Sequence, residues 1–205
     1  MAELESPAHL RAFVAVQLPP ALLEKVGQEQ RALERQLGHE LIRWTRPEQV
    51  HLTLKFFGNV AAADVEPLVA ALGQSVVGVH PFELRVGGLG AFGSLKQPRV
   101  IWLGLQGDLT EAQKLQHQVD EKTGAFGSHS EDRSFKPHLT LGRVKAFGPR
   151  VQELGERLSR LTIGALGSWR VEEIELVQSR LSPKGSTYMS LAKVPLLSGS
   201  ATEKQ

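Results

Sequence analysis

The chain has 205 residues, 41% of them hydrophobic, enough for one globular domain with a sizeable core or two tightly joined lobes. Its 24 Lys and Arg stand against 22 Asp and Glu, a net charge of +2, so any basic footprint for a nucleic acid must be local. The absence of cysteine excludes disulfides, thiolate metal sites and cysteine nucleophiles, and it suits a cytoplasmic protein. The opening MAELESPAHLR lacks the basic-then-apolar order of a signal peptide, and no apolar run approaches the roughly 20 residues that span a bilayer. A soluble, cytoplasmic protein without a membrane partner is expected.

In chain order, RAFVAVQL (11–18) reads as a buried strand stopped by Pro19-Pro20. Leu22, Leu23, Val26, Leu33 and Leu37 then recur at helical spacing. HLTLKFFG (51–58) is a strand, Val65, Leu68, Val69, Leu72 and Val76 mark a second helix, and FELRVGGL (82–89) is a further strand. The glycines of 88–93 read as a turn between strands. RVIWLGL (99–105) starts the order again, with Asp108 and Glu111 as a capping box for the next helix. After the polar GSHSEDRS comes a second HLTL strand at 138–141, then a helix opening at Pro149. Strands at 171–178 and 188–196 close the chain, and SGSATEKQ (198–205) reads as a disordered tail.

The tetrapeptide HLTL thus occurs twice, each time after a strand and a helix and before another helix. This spacing predicts an internal duplication of about 87 residues, longer than solenoid repeats, with halves of about 11–97 and 98–196 in one domain over 1–197. An α+β fold of two pseudo-symmetric lobes follows, with the equivalent strands turned to one cleft.

Alternation along a strand puts His51 and Thr53 on one face, and Leu52 and Leu54 on the other. His138 and Thr140 repeat this against Leu139 and Leu141. The leucines anchor each strand while the polar pairs share the cleft. Two imidazoles flanking one centre can take a proton from a nucleophile and give one to a leaving group near neutral pH. Threonine hydroxyls can donate to phosphoryl oxygens, and arginine supplies a planar fork for phosphate. That constellation suits displacement at a phosphodiester with no metal.

With RAFVAVQLP, QVHLTLKFFGNV, PRVIWLGL, FKPHLTLGRV and LVQSRLSPKGSTYMSLAKVPL, the chain resembles the 2H phosphoesterases, and within them the RNA 2′,3′-cyclic phosphodiesterase branch, also called 2′-5′ RNA ligase. The resemblance runs nearly end to end. It implies a bilobal fold with two antiparallel sheets lining a central cleft and helices outside. It also implies opening of a 2′,3′-cyclic phosphate at an RNA end, such as that of a tRNA half or a small nucleotide, to a 2′-phosphomonoester. By resemblance, His51 matches the proton donor, His138 the proton acceptor, Thr53 and Thr140 the phosphate-contacting threonines, and Arg143 a cleft arginine. No cofactor is implied, and a monomer would suffice.

Strict alternation places Arg143 on the face away from His138 and Thr140, unless Gly142 sits in a bulge that re-aims the strand. Otherwise Arg143 approaches from the rim or pairs with an acidic neighbour. On the first strand the same alternation turns Lys55 to the cleft and leaves that copy without an equivalent arginine. Around the second motif Arg133, Lys136, Arg143, Lys145 and Arg150 form a local basic stretch, which also reads as a solvated edge. Arg43 and Trp44, ahead of the first motif, are candidates for stacking on a base or for packing on the lobe.

Gly88, Gly90 and Gly93 fit G-x-G-x-x-G, but a proline and a strand follow where a dinucleotide site needs a helix. No H-x-H or H-E-x-x-H spacing suggests a metal. Three functions remain open. The first is metal-independent hydrolysis of RNA 2′,3′-cyclic phosphate ends. The second keeps the site for 2′-5′ ligation or for hydrolysis of small cyclic nucleotides or 2′-5′ oligonucleotides. The third is an RNA-end binding module without catalysis.

Overall fold

A computed structural model describes residues 9–94, 96–127, 134–145, 147–182 and 185–196. The expected tail at 198–205 lies outside them. The elements run β1 (His9–Gln17), α1 (Pro20–Leu37), β2 (Ile42–Trp44), β3 (His51–Ala61), α2 (Val65–Ser75), β4 (Phe82–Ser94) and β5 (Gln97–Gly107). They continue α3 (Leu109–Lys122), β6 (His138–Val144), α4 (Pro149–Ser159), β7 (Ala165–Val171), β8 (Glu173–Ser182) and β9 (Gly185–Pro195).

Local chemistry accounts for the principal helix. Pro20 sits in the first turn of α1, where its missing N–H costs nothing, and Leu22, Val26, Leu33 and Leu37 form the buried stripe. Gly38 ends it with φ of 78°, and its N–H donates to the Glu34 carbonyl at 2.8 Å.

All strands are antiparallel, in the order β7-β4-β5-β6-β3-β1-β8-β9, with β2 attached beside β6. The order is palindromic about its centre: β3 answers β6, β1 answers β5, β8 answers β4, and β9 answers β7. Both half-sheets borrow from the opposite half of the chain, since β4 pairs with β5 and β8 pairs with β1. The half-sheets meet through the single pair Leu52–Leu139, both fully buried. The two HLTL strands are therefore neighbours, side by side at the centre. The helices cover one face, where Leu52, Leu54, Leu139 and Leu141 join the main core with Leu72 of α2 and Leu115 of α3. Among the described residues no helix covers the opposite face, where Phe13, Ala15 and Val177 form a small buried cluster.

Several expectations change. The 88–93 glycines do not form a turn but continue β4 to Ser94, with Gly88 (φ of 80°) at a register shift between Val86 and Leu89. The aromatic ring of Trp102 lies across Gly90, where any Cβ would collide with it at 2.3 Å. Asp108 precedes α3 but caps nothing with its side chain. Its carboxylate instead accepts from the Glu83 backbone N–H at 2.9 Å, tying the helix start to β4. The strands β2 and β7 have no clear period in the sequence. One is three residues long, and the other carries glycine at its third position, Gly167.

Candidate active site

The site begins with the Leu52–Leu139 pair. In an antiparallel ladder this register sets His51 beside Thr140 and Thr53 beside His138. Both leucines point into the helix-covered core, so alternation turns all four polar side chains to the free face. The structure thus brings His51, Thr53, His138 and Thr140 together, as the sequence leads one to expect.

Each imidazole is pinned in the same way. His51 Nδ1 lies 2.7 Å from the Gln49 carbonyl, and His138 Nδ1 lies 2.7 Å from the Lys136 carbonyl. A carbonyl can only accept, so Nδ1 carries the hydrogen in both rings. With Nδ1 held in this way, Nε2 is the ring nitrogen through which each imidazole can exchange protons. The rings rest on aromatic side chains in different poses. His51 stacks on Phe13 at 4.8 Å and 19°, with Tyr188 edge-on at 5.6 Å, whereas Phe92 meets His138 edge-on at 4.7 Å and 85°.

Burial under these rings pushes the His51 pKa down to about 4 from 6.5, and the nearby His138 lowers it further. The Gln49 carbonyl and the Glu175 carboxylate oppose this. Glu175 is a buried residue of β8 that pairs with Ala15, which in turn pairs with Thr53, so it shares the cleft face. Sequence reasoning passed over it because the strand VEEIELVQ carries three glutamates and nothing local distinguishes the third.

Arg143 reaches the same face through a bulge. Thr140 pairs with Trp102 and Gly142 with Ile101, so Leu141 is the extra residue. The parity flips there. A Cβ on Gly142 would point at Ile42 and Trp44 in the core, and Arg143 is exposed on the other side. Its charge reaches Tyr188, where it opposes the rise in phenol pKa caused mainly by burial. The freed Leu141 carbonyl accepts from the Thr45 N–H at 2.8 Å and from Gln30 Nε2 at 3.3 Å. Gln30, fully buried in α1, therefore helps to hold the bulge. A lone polar residue on an apolar helix stripe was the available signal for it.

Lys55 is a correction. The first motif bulges at the equivalent leucine, since Thr53 pairs with Ala15 and Lys55 with Val14, leaving Leu54 as the extra residue. Lys55 consequently turns to the helix side. There its Nζ sits 2.8 Å from Asp120 Oδ1, 3.2 Å from the Asp120 carbonyl and 5.6 Å from the centre of the Phe57 ring. Phe56, 37% exposed, takes the cleft position that Arg143 holds in the second copy, and packs 5.6 Å from Phe13. One half of the site is aromatic where the other is cationic.

The remaining basic residues near the second motif divide. Lys145 donates to the His39 carbonyl at 3.1 Å and Arg150 pairs with Glu40, so both serve the loop after α1. Arg133 lies outside the described residues. Trp44 packs on the lobe, donating from its indole N–H to the Gly38 carbonyl at 3.0 Å. A groove beside the start of β8 gathers Glu172, Glu173, Arg170 and Lys193. Its charges pair internally, Lys193 with Glu173 at 2.6 Å and Arg170 with Glu172 at 3.7 Å. Among the described residues, no three His, Asp or Glu side chains converge to hold a metal ion. No helix among them is long and apolar enough to cross a membrane.

A palindromic sheet that sets one His-x-Thr strand from each half at its centre is the architecture of a duplicated phosphoesterase. The chain belongs to the LigT-like phosphoesterase family, whose sequence profile matches residues 16–102 and again 103–188. A relative from Methanothermobacter thermautotrophicus, named RNA 2′,3′-cyclic phosphodiesterase, is 35% identical over 183 residues, covering 89% of this chain and 96% of its own. One of the same name from Thermus thermophilus is 34% identical over 193 residues, covering 91% and 90%. The crystal structure of TT0787 from Thermus thermophilus superposes with a TM-score of 0.69 at 31% identity, covering 91% of this chain and 98% of that one. E. coli LigT, solved with NADP+, shares the fold at a TM-score of 0.69 and 24% identity, over 92% of this chain and 98% of that one.

Proposed function

We propose that the protein opens 2′,3′-cyclic phosphates at RNA ends to 2′-phosphomonoesters by acid–base catalysis between two histidines, without a metal. The observation that carries this is the pair of imidazoles, each pinned through Nδ1 to a backbone carbonyl on the face that also holds Thr53, Thr140 and Arg143. The names of the relatives agree with the reaction.

His138 Nε2 takes a proton from water as its oxygen attacks phosphorus. The bond from phosphorus to the ribose 3′-oxygen breaks, and His51 delivers a proton to that oxygen. Thr53 and Thr140 donate to the non-bridging oxygens, and Arg143 offsets their charge. Before substrate binds, the His51 ring is neutral near pH 7. Its proton is therefore taken up with the substrate, whose anionic phosphate opposes the effect of burial. The depressed pKa taken alone favours the exchanged assignment, with His51 as base.

One chain supplies both histidines, so a monomer suffices. An RNA such as a tRNA half, met in the cytoplasm, is the substrate class that fits. An oligonucleotide ending in 2′,3′-cyclic phosphate, incubated in excess EDTA and followed by ³¹P NMR, should yield the 2′-phosphomonoester at an undiminished rate. A 3′-phosphate product, or activity lost to chelation and restored by one divalent ion, would contradict the reading. Lys55→Met should change that rate by less than about twofold, since its ammonium faces Asp120 behind the sheet.

A further inference from the structure

We propose that Arg43 and Arg143 together hold a second phosphate of the substrate, the phosphodiester on the 5′ side of the terminal nucleotide. The proposal rests on the reading of His51 and His138 as flanking the reacting phosphate. Arg43 and Arg143 are directly opposite each other in the β2–β6 ladder, so their side chains leave the same face of the sheet. That face is the helix-free one, because the alternate residues Ile42 and Trp44 pack in the core against Leu37, Leu154 and Leu158.

Both arginines are exposed, and among the described residues no carboxylate pairs with either. Like charges directly opposite in a ladder, with side chains about 5 Å apart at Cβ, repel one another and destabilise the pairing. An anion between them removes that cost. The reacting group, a cyclic phosphodiester, carries one negative charge and meets Thr53, Thr140 and the near side of Arg143. The guanidinium of Arg43 then remains uncompensated, and an RNA brings one further negative charge for each residue on its 5′ side.

The topology places this pair where a chain can pass. After Leu139, β3 leaves the edge of β6, and β2 occupies that edge from Gly142 to Val144. On the other side of Arg143 lies an open groove of about 650 Å³ lined by Phe92, Gln97, Arg99 and Val100, a size that admits a nucleotide. A polynucleotide running from the histidines past Arg143 therefore meets Arg43 and Arg99 next, whereas a mononucleotide ends before them. The pair thus favours RNA ends over small cyclic nucleotides.

The test compares two substrates, a short RNA ending in 2′,3′-cyclic phosphate and the mononucleotide 2′,3′-cyclic AMP. In Arg43→Gln the ratio of kcat/KM for the RNA to that for the mononucleotide should fall about tenfold, the effect of one charge-assisted contact. The slope of log kcat/KM against log salt for the RNA should become shallower by about 0.7, one phosphate contact on a single strand. Replacing only the phosphodiester on the 5′ side of the terminal nucleotide by a neutral methylphosphonate should reproduce the loss in the wild type and add little in Arg43→Gln. Arg43→Lys should recover part of the ratio. An unchanged ratio, or a methylphosphonate loss equally large in the variant, would overturn the proposal. If the wild type turned over neither substrate, the proposed function itself would fail, a result distinct from either of these.

Discussion

Replacing either His51 or His138 by alanine should lower kcat/KM on a cyclic-phosphate RNA by about 10²–10⁴-fold, the usual contribution of one positioned acid or base. Substrate binding should change far less, because Thr53, Thr140 and Arg143 stay in place. The double variant should lose much less than the product of the two single losses, since the proton transfers belong to one displacement. Steady-state rates alongside equilibrium binding of a non-hydrolysed 2′-phosphorylated product separate the two effects. A loss confined to binding would support the non-catalytic RNA-end module instead. His51→Ala also removes a ring from the Phe13 stack, so His51→Gln provides the control for packing.

A second large effect concerns stability against pH. In the folded protein the His51 pKa is about 4, and in the unfolded chain it is near 6.5. Above pH 6.5 the ring is neutral in both states. As pH falls below that value, the unfolded chain binds a proton that the folded ring refuses until about pH 4. Stability should therefore decline across this window, by up to roughly 3 kcal/mol for this one group. Carboxylates titrate over part of the same range, so urea unfolding of the wild type is compared with His51→Gln at pH 7.5, 6, 5 and 4.5. The wild type should lose stability faster than the variant. Parallel curves would contradict the half-buried, neutral state of the ring. Inorganic phosphate, bound beside His51, should raise its pKa as followed by NMR.

The chemistry-bearing part of this molecule was legible because HLTL obeys strict alternation, and its repetition fixed which faces belong together. Legibility ended where the alternation breaks. Both motif strands bulge at their second leucine, Leu54 and Leu141, and each bulge reverses the parity of everything after it. That reversal carries Arg143 to the cleft and Lys55 away from it. Gly142 hinted at the second bulge, but nothing in LTLKF signals the first. The exchange of β4 and β8 between the half-sheets was equally hidden, since a strand's own pattern states that it pairs and does not name its partner. Glu175 depends on such a long-range pairing and could not be assigned from its neighbours in sequence, whereas Gln30 left one local sign, its polarity on an apolar helix stripe.

The division of labour between the imidazoles is tested most directly by a substrate whose 3′-oxygen in the cyclic phosphate is replaced by sulfur. A thiolate leaves without needing a proton, so the acid becomes dispensable while the base does not. On this substrate His51→Ala should recover most of the rate it loses on the oxygen substrate, and His138→Ala should stay as impaired as before. Equal recovery in both variants, or recovery confined to His138→Ala, would contradict the assignment of His51 as the acid and His138 as the base.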